Sequence, residues 1–470
     1  VRKSVRAGGI ERGAYRYEWG IAGRLLAKEN ELTGTLMRYD YDRFDFLIRQ
    51  ETTNGSETDV IYRVPDFVGN LFETPDRKDR RYGAGGRLLE DPDCFYHYDD
   101  EGNLIFREFK ELQDNAVTHD RKHMERERGI RCRATGMGWL YEWASNGMLK
   151  KVIRPDGRPV DFRYDALGRR TAKRYFGKVT RWVWDGNVPL HEWSYKTIGL
   201  QSDEEGNIPP KEPAEDVTTW VFEEGTFVPT AKIQDGKQYS IVSDYLGTPI
   251  QMYNGQGNKT WDCTLDIYGK VLAVDKGTEF DCPFRFQGQY ADEEIGLYYN
   301  RFRYYNPDIG MYVSQDPIGI FGGNPTLHGY VHDTNSWTDI LGLEIIPNKA
   351  AGLERETIAK KWLQNQFPNA EILSERYLKY ANGKSVYDVV TGSRRRVDFV
   401  VVENGKVIGV YEVTSSTADK SFQALKEERI KRRGGTYIKE PGKKGKLYDI
   451  SNIKTTRLDV DLESKEVKYH

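Results

Sequence analysis

Tyr164-Asp165-Ala166-Leu167-Gly168-Arg169-Arg170, followed by Trp182-Val183-Trp184-Asp185-Gly186, is the stretch that decides how this chain folds. An aromatic residue and an acid precede a short spacer, a glycine and a basic pair. The aromatic favours a strand and the glycine supplies the positive φ of a tight turn, so the unit reads strand, turn, strand. It recurs as Tyr17-Glu18-Trp19-Gly20 leading to Gly23-Arg24-Leu25, as Tyr98-Asp99-Asp100-Glu101-Gly102-Asn103-Leu104, and as Tyr141-Glu142-Trp143 with Asn146-Gly147-Met148-Leu149. Asp244-Tyr245-Leu246-Gly247-Thr248-Pro249-Ile250 is a later variant. Residues 26–90 and 195–240 match the pattern poorly. One hairpin cannot bury its aromatic face alone, so stacked neighbours must do it.

Composition points the same way. With 30 Tyr, 10 Trp and 46 Gly in 470 residues, the chain suits many short strands, and its length calls for two or three cooperating units. A net charge of −2 gives no overall bias toward nucleic acid. Cys94, Cys132, Cys263 and Cys282 are scattered, without the pairing of a zinc site or a disulfide scaffold, and read as ordinary thiols. No apolar run is long enough to span a bilayer, and no signal peptide is recognisable. Val1 opens inside a repeat-like pattern, so the sequence reads as a piece of something longer.

The run from Tyr164 to Arg170, with Trp182–Gly186 behind it, resembles the YD repeats of Rhs and teneurin-like proteins. That resemblance implies a hollow β-shell over residues 1–283. Residues 284–343 then resemble the Rhs core-terminating signature: Phe286-Gln287-Gly288-Gln289-Tyr290, Gly296-Leu297-Tyr298-Tyr299-Asn300-Arg301-Phe302-Arg303-Tyr304-Tyr305, Asn306-Pro307, Gly310-Met311-Tyr312, Ser314-Gln315-Asp316-Pro317-Ile318-Gly319 and Trp337-Thr338-Asp339-Ile340-Leu341-Gly342-Leu343. In that family two Asp-Pro-x-Gly motifs accompany aspartyl-type self-cleavage after the final Leu. The resemblance therefore implies autoproteolysis at Leu343–Glu344 by Asp316 and Asp339, within a plug that closes the shell. The chemistry is reasonable, because two adjacent carboxylates cannot both stay ionised; one is left as acid while the other activates water. Two features depart from the family pattern: Ile340 stands where the second Pro is usual, and the spacer is one residue longer. A plainer reading makes both acids turn caps.

After Leu343 the character changes. Residues 344–470 carry 25 Lys and Arg against 18 Asp and Glu, whereas residues 1–343 carry 45 against 54. A basic unit behind an acidic one suggests a separate function with an anionic partner, and an acidic shell could hold a basic guest. The pattern predicts a helix over 353–367 ended by Pro368, strands at 387–390 and 397–402, and a turn at Glu403-Asn404-Gly405-Lys406. It continues with a strand at 407–413, a helix from Ser416 or Thr417 to about Arg433 stopped by Gly434-Gly435, and a strand at 436–438.

That order, with Asp398 on one strand and Glu412 on the next, resembles the PD-(D/E)xK restriction-endonuclease fold, a small α/β domain. The resemblance implies a metal-dependent nuclease, with DNA a better substrate than RNA. Asp398 and Glu412 would hold Mg²⁺ or another divalent cation, which positions the phosphodiester and activates water. Either acid alone is ordinarily a solvated carboxylate; the pair in this order is what points to a site. The family's lysine two residues after the Glu is missing, since Thr414 stands there. Lys426, with Gln423 beside it, is the preferred substitute on the following helix; Lys420 is the fallback, and Glu356 could add a first-helix carboxylate. Arg394-Arg395-Arg396, Lys431-Arg432-Arg433 and Lys443-Lys444 would contact backbone phosphates. By resemblance, the whole is an antibacterial effector secreted from a producer, for instance by type VI secretion components, into a target cell's cytoplasm. A cognate immunity protein would be its partner. The competing readings are a cell-surface adhesion or carbohydrate-binding YD protein with an inert tail, and a toxin of other chemistry such as a deaminase or ADP-ribosyltransferase. A deaminase is disfavoured by the missing His-x-Glu and Cys-x-x-Cys; adhesion is disfavoured by the few cysteines and the missing signal segment.

Overall fold

The computed structural model describes every residue except 8–9, 21–23, 198–212, 323, 325, 344, 348, 390–393, 415–420, 441–444, 461–465 and 470. The chain divides into one compact unit of Val1–Trp19 and Arg24–Pro347 and a second of Gly20–Gly23 and Asn348–His470.

In the first unit the hairpin grammar runs almost uninterrupted. At the turn that carries the clearest repeat, Asp165 Oδ1 accepts the backbone N–H groups of Leu167 and Arg169, both at 2.9 Å. Gly168 sits at φ +73°, a conformation that a residue with a Cβ adopts only under strain. The same carboxylate clamp recurs at Asp244 and Asp266, and Asp99 makes half of it by accepting the Asn103 N–H together with the Asn103 side-chain amide. It also recurs inside the region whose sequence matches the repeat poorly. Asp42 clamps Phe44 and Phe46, with Asp45 at φ +66° in place of glycine, and Asp66 clamps Val68 and Asn70. What repeats physically is an acceptor at the turn's first position and a residue able to take positive φ, and several sequences satisfy that.

The hairpins join into two meanders in which each strand pairs with its sequence neighbours. Six strands run from Arg2–Ala7 to Glu57–Tyr62, and sixteen run from Arg81–Tyr82 to Val271–Lys276. The described part of 195–240 contributes the strands Thr218–Phe222, Pro229–Gln234 and Lys237–Ser243 to the larger sheet, despite its weak repeat signal. Residues 284–343 bury a small aromatic cluster of their own, Phe286, Tyr298, Tyr305, Tyr312 and Tyr330, and also enter the core of the meanders. Tyr299, Tyr304, Met311 and Val313 pack in one cluster with Tyr15, Tyr39, Tyr96, Tyr141 and Phe162 of both meanders. A short sheet of Tyr290–Asp292, Leu297–Asn300, Arg303–Asn306 and Met311–Tyr312 is nearly all buried. It is tied to the large sheet by a buried ion cluster. Asp292 accepts from the Arg170 guanidinium and, at 2.9 Å, from Lys173, while Arg170 lies 4.4 Å from the Trp182 ring centre and 4.5 Å from that of Tyr299.

The second unit is a five-stranded sheet ordered Glu371–Tyr377, Arg396–Glu403, Lys406–Thr414, Thr455–Val460 and Val467–Tyr469. Thr455–Val460 lies parallel to Lys406–Thr414, and the other pairs are antiparallel. Asn404 and Gly405, at φ +51° and +75°, make the tight hairpin turn. The helix Lys349–Gln366 packs Ala359 and Leu363 on one face against Phe399, Val401 and Val413. The helix Ser421–Arg432 packs Ile430 on the other, beside Val400, Val402 and Val410. Cover on both faces explains the unbroken apolar run at 399–402. The strand expected at 387–390 is not formed over 387–389, and residue 390 lies outside the described residues. Asp388 is instead buried and takes two hydrogen bonds, 2.7 and 2.8 Å, from Arg429, a tertiary contact that outweighs the strand propensity of its neighbours.

One buried acid makes the first unit acid-sensitive. Glu108 is fully buried and accepts from His97 Nε2 at 3.0 Å and from the N–H groups of Arg133, Ala134 and Gly136 at 2.8, 2.8 and 2.9 Å. Burial alone would raise its pKa, but these donors outweigh it and hold the carboxyl at about 2, below its ordinary 4.5. A depressed pKa contributes stability above the unfolded value and loses it as pH falls through the folded one. Denaturant titrations should therefore show part of the wild-type stability disappearing between pH 4.5 and 2, and Glu108→Gln should lack that component. The substitution should also cost about 2–3 kcal/mol at pH 7, because buried donors lose an ionised partner. An unchanged pH profile in the variant would refute this account.

Candidate functional sites

The first candidate site lies at the end of the signature. Arg303, on the buried strand Arg303–Asn306, points one guanidinium nitrogen at two acids: Nη2 is 2.9 Å from Asp316 Oδ2 and 3.0 Å from Asp339 Oδ2. Its Nε donates to the Gly342 carbonyl at 2.6 Å. Asp339 Oδ1 accepts the Leu343 N–H at 2.9 Å, and Oδ2 accepts the Tyr312 hydroxyl at 2.9 Å. Asn300 Nδ2 donates both to Tyr312 Oη at 2.7 Å and to the Asp339 carbonyl at 2.8 Å. On the far side, a methyl placed on Gly322 would meet the Leu343 carbonyl oxygen at 2.3 Å and Asp316 Oδ2 at 2.6 Å. The two oxygens thus face the same glycine. The structure brings Asp316, Asp339 and Leu343 together, one acid near the Leu343 carbonyl and the other on its N–H.

Burial dominates the electrostatics here. It pushes Asp316 up to about 6 and also raises Asp339, with Arg303 opposing it in both cases. One cation between two desolvated carboxylates leaves room for one proton on the pair near neutral pH. Arg303, Tyr312 and Asn300 all stand in the signature string, but spacing alone does not single them out. Only the fold turns them toward the acids.

The second candidate site lies on the sheet of the second unit. The antiparallel ladder ends at the pair Phe399 and Tyr411; Asp398 and Glu412 are the next residue on each strand, and strand alternation puts both on the face of Val400, Val410 and the helix Ser421–Arg432. Asp398 Oδ2 accepts the Val413 N–H at 2.7 Å, and Glu412 accepts from Arg395 Nη2 at 2.7 Å. Arg395 requires a correction. It is not a surface phosphate contact but a buried cation, 3.4 Å from Glu427 as well. Burial would lower its pKa, yet Glu412, Glu427 and Asp398 hold it above its ordinary value. Glu427, on the same helix, also pairs with Lys431 at 2.9 Å.

The remaining residues are spread more widely. Lys426 is half-buried on the same helix, while the side chains of Gln423 and Glu356, all of Lys420, and Lys443 and Lys444 lie outside the described residues. Arg394 is exposed, 4.2 Å from the Tyr377 ring centre. Arg396 pairs with Glu375 at 2.8 Å, Arg432 with Glu428 at 2.6 Å, and Arg433 donates to the Tyr387 carbonyl at 3.1 Å. Among the described residues no group of three His, Cys, Asp or Glu side chains is arranged to hold a metal ion, and no helix is long and apolar enough to cross a membrane.

Comparison with known proteins agrees with the fold of the first unit. Residues 145–180 match the RHS repeat model and residues 214–322 match the Teneurin YD-shell model. The chain is 30% identical over 345 residues to double-stranded DNA deaminase toxin A of Burkholderia cenocepacia (strain H111), covering 70% of this chain and 22% of that protein. It is 31% identical to the probable deoxyribonuclease RhsA of Dickeya dadantii (strain 3937), covering 63% of this chain and 18% of the relative. For the probable deoxyribonuclease RhsB of the same organism the identity is 32%, covering 66% and 23%. The chain thus spans about a fifth of each relative's length. Its second unit holds little more than a quarter of the residues, so these matches lie mostly in the first. This is a chain of the Rhs/YD-repeat family, mainly β in fold.

The crowding at Gly322 gives a direct check of the first site. In Gly322→Ala the added methyl should push the Leu343 carbonyl and the Asp316 carboxylate apart while the sheets stay folded. Hydrogen exchange at the Leu343 amide, now tied to Asp339, should speed up by about tenfold or more, whereas exchange in the strand Pro159–Tyr164 should not change. Equal protection at Leu343 in both proteins would contradict the packing described.

Proposed function

We propose that this chain is the C-terminal part of an Rhs-type antibacterial toxin that cleaves itself after Leu343 and carries a metal-dependent nuclease in its second unit. The self-cleavage reading rests on Arg303 holding Asp316 and Asp339 around Leu343. Water adds to the Leu343 carbonyl carbon, one carboxylate takes a water proton, and the other carboxyl protonates the carbonyl oxygen. Collapse breaks the bond to Glu344, with a proton passing to its nitrogen and Leu343 left as a new carboxyl terminus.

The nuclease reading rests on Asp398 and Glu412 sitting just past the last pair of two neighbouring strands, on one face of the sheet. Their oxygens are the donor type that Mg²⁺ or a similar cation takes. Bound there, the cation supplies charge that orients the phosphodiester and acidifies water. Arg395, between Glu412 and Glu427, keeps the buried carboxylates apart from one another's charge, and Lys426 is the favoured lysine for the developing charge. Nucleic acid is the partner, DNA before RNA, in line with the names of the relatives. A zinc deaminase fits less well, because residues 344–470 contain no cysteine. A secretion system would deliver the protein into the target cell, and an immunity protein would protect the producer.

Denaturing intact-mass spectrometry should find a break after Leu343 in the wild type and an intact chain in Asp316→Asn and Asp339→Asn. A wild type that stays whole would remove the cleavage reading.

Plasmid nicking with added Mg²⁺ should be lost with chelator, and in Asp398→Ala and Glu412→Ala it should fall by at least about a hundredfold, the scale of losing charge stabilisation at the reacting phosphate. Lys426→Ala should lose less than either acid variant but more than Arg394→Ala, since one phosphate contact is partly redundant. Cells that die with their nucleic acid intact would overturn the nuclease reading. Killing that persists in both acid variants would overturn the site.

A further inference from the structure

The two acids at Leu343 are not equivalent, and the difference is built from side chains that touch neither the Leu343 carbonyl nor its N–H. Asp316 receives Arg303 on one oxygen and the Ile318 N–H on the other, at 2.9 Å each. Asp339 receives Arg303 and the Tyr312 hydroxyl on one oxygen and the Leu343 N–H on the other. The extra donor is Tyr312. Its direction is set by Asn300, whose amide occupies a lone pair of the Tyr312 oxygen at 2.7 Å, so the phenol proton is left to point at Asp339. The same amide fixes the Asp339 backbone at 2.8 Å. The centre of the Tyr312 ring is itself held 3.7 Å from the Arg303 guanidinium carbon.

We propose that Asp339 is the carboxylate that stays ionised and takes the proton from water, that Asp316 carries the proton given to the Leu343 carbonyl oxygen, and that Tyr312 and Asn300 are the positioning residues that fix this division. The proposal rests on the self-cleavage reading and goes beyond it by assigning the two roles. Hydrogen bonds to a carboxylate favour its charged form, so the acid with more donors remains the anion. Asp316, with fewer donors and its Oδ2 on the same glycine as the Leu343 oxygen, is placed to be the acid.

The charged and titratable groups around the pair are few. Arg303 faces both acids, and Tyr312 and Tyr330 face Asp339. Burial raises both phenols, so they act as donors throughout the working range. His328, near Arg303, is lowered by burial to about 4 and is neutral above that. The rate should then be bell-shaped in pH. It falls on the alkaline side as Asp316, pushed up to about 6, loses its proton, and it falls on the acid side as Asp339 gains one.

The test uses the full chain made by cell-free translation and transferred to buffers across the pH range, with the cleaved fraction followed on denaturing gels. Tyr312→Phe should move the acid limb to higher pH by about one unit, the scale of one lost hydrogen bond to a carboxylate, and leave the alkaline limb in place. Asn300→Ala should shift the same limb in the same direction by less, and it provides the reading if Tyr312→Phe does not fold. A shift of the alkaline limb instead would reverse the roles and overturn the proposal. A uniform loss of rate with both limbs fixed would make Tyr312 merely structural and would overturn it equally. In either case wild-type cleavage would leave the self-cleavage reading standing, whereas a wild type that cleaves at no pH would end both.

Discussion

One guanidinium organises the end of the first unit. Arg303 is 2% exposed, and it binds Asp316, Asp339 and the Gly342 carbonyl from a single strand position. Two desolvated carboxylates would repel each other and drift apart without it, because at low local dielectric their repulsion is barely screened. With it, residues separated by the whole signature converge on Leu343. The cost is that the cation and both acids are out of water. Such a cluster is costly to assemble and still more costly to break, since removing one member leaves an unpaired buried charge.

The same device recurs. Arg170 ties the large meander to the short inner sheet through Asp292, inside a ring of Trp182, Tyr290 and Tyr299. Arg395 links Glu412 to Glu427 in the second unit. Arg303 and Arg395 each satisfy two carboxylates at once, whereas Arg170 shares its single carboxylate, Asp292, with Lys173. The meanders themselves need no such device. Their strands pair with sequence neighbours, their turns are clamped locally by aspartate, and their aromatic faces bury against one another.

The difference between the relatives' names has a physical counterpart in this architecture. A deaminase toxin and two probable deoxyribonucleases share similarity mostly with the first unit of this chain. Hairpin turns and buried tyrosines constrain that unit's sequence, whereas the second unit has its own separate cores on the two faces of its sheet. Chemistry can therefore differ in the second unit without disturbing the packing of the first.

By itself the sequence determined the β-repeat class, the hairpin at Tyr164–Arg170, the terminating signature and the Asn404-Gly405 turn. Each of these rests on local chemistry: glycine or asparagine at positive φ, a side-chain acceptor at a turn, aromatics in alternation. The tertiary structure decided what local rules do not reach. It continued the six-stranded meander through residues whose repeat had faded, because Asp42 makes the same turn with different neighbours, and it repeated that turn at Asp66 in a separate two-stranded hairpin. It left no strand at 387–389, where Asp388 is drawn to Arg429 on a helix 41 residues away. It turned Arg395 inward, and it chose Arg303, Tyr312 and Asn300 from a string of equally plausible polar residues. Pairing between distant side chains depends on register and burial across the whole fold, and neither is written in the spacing of one motif.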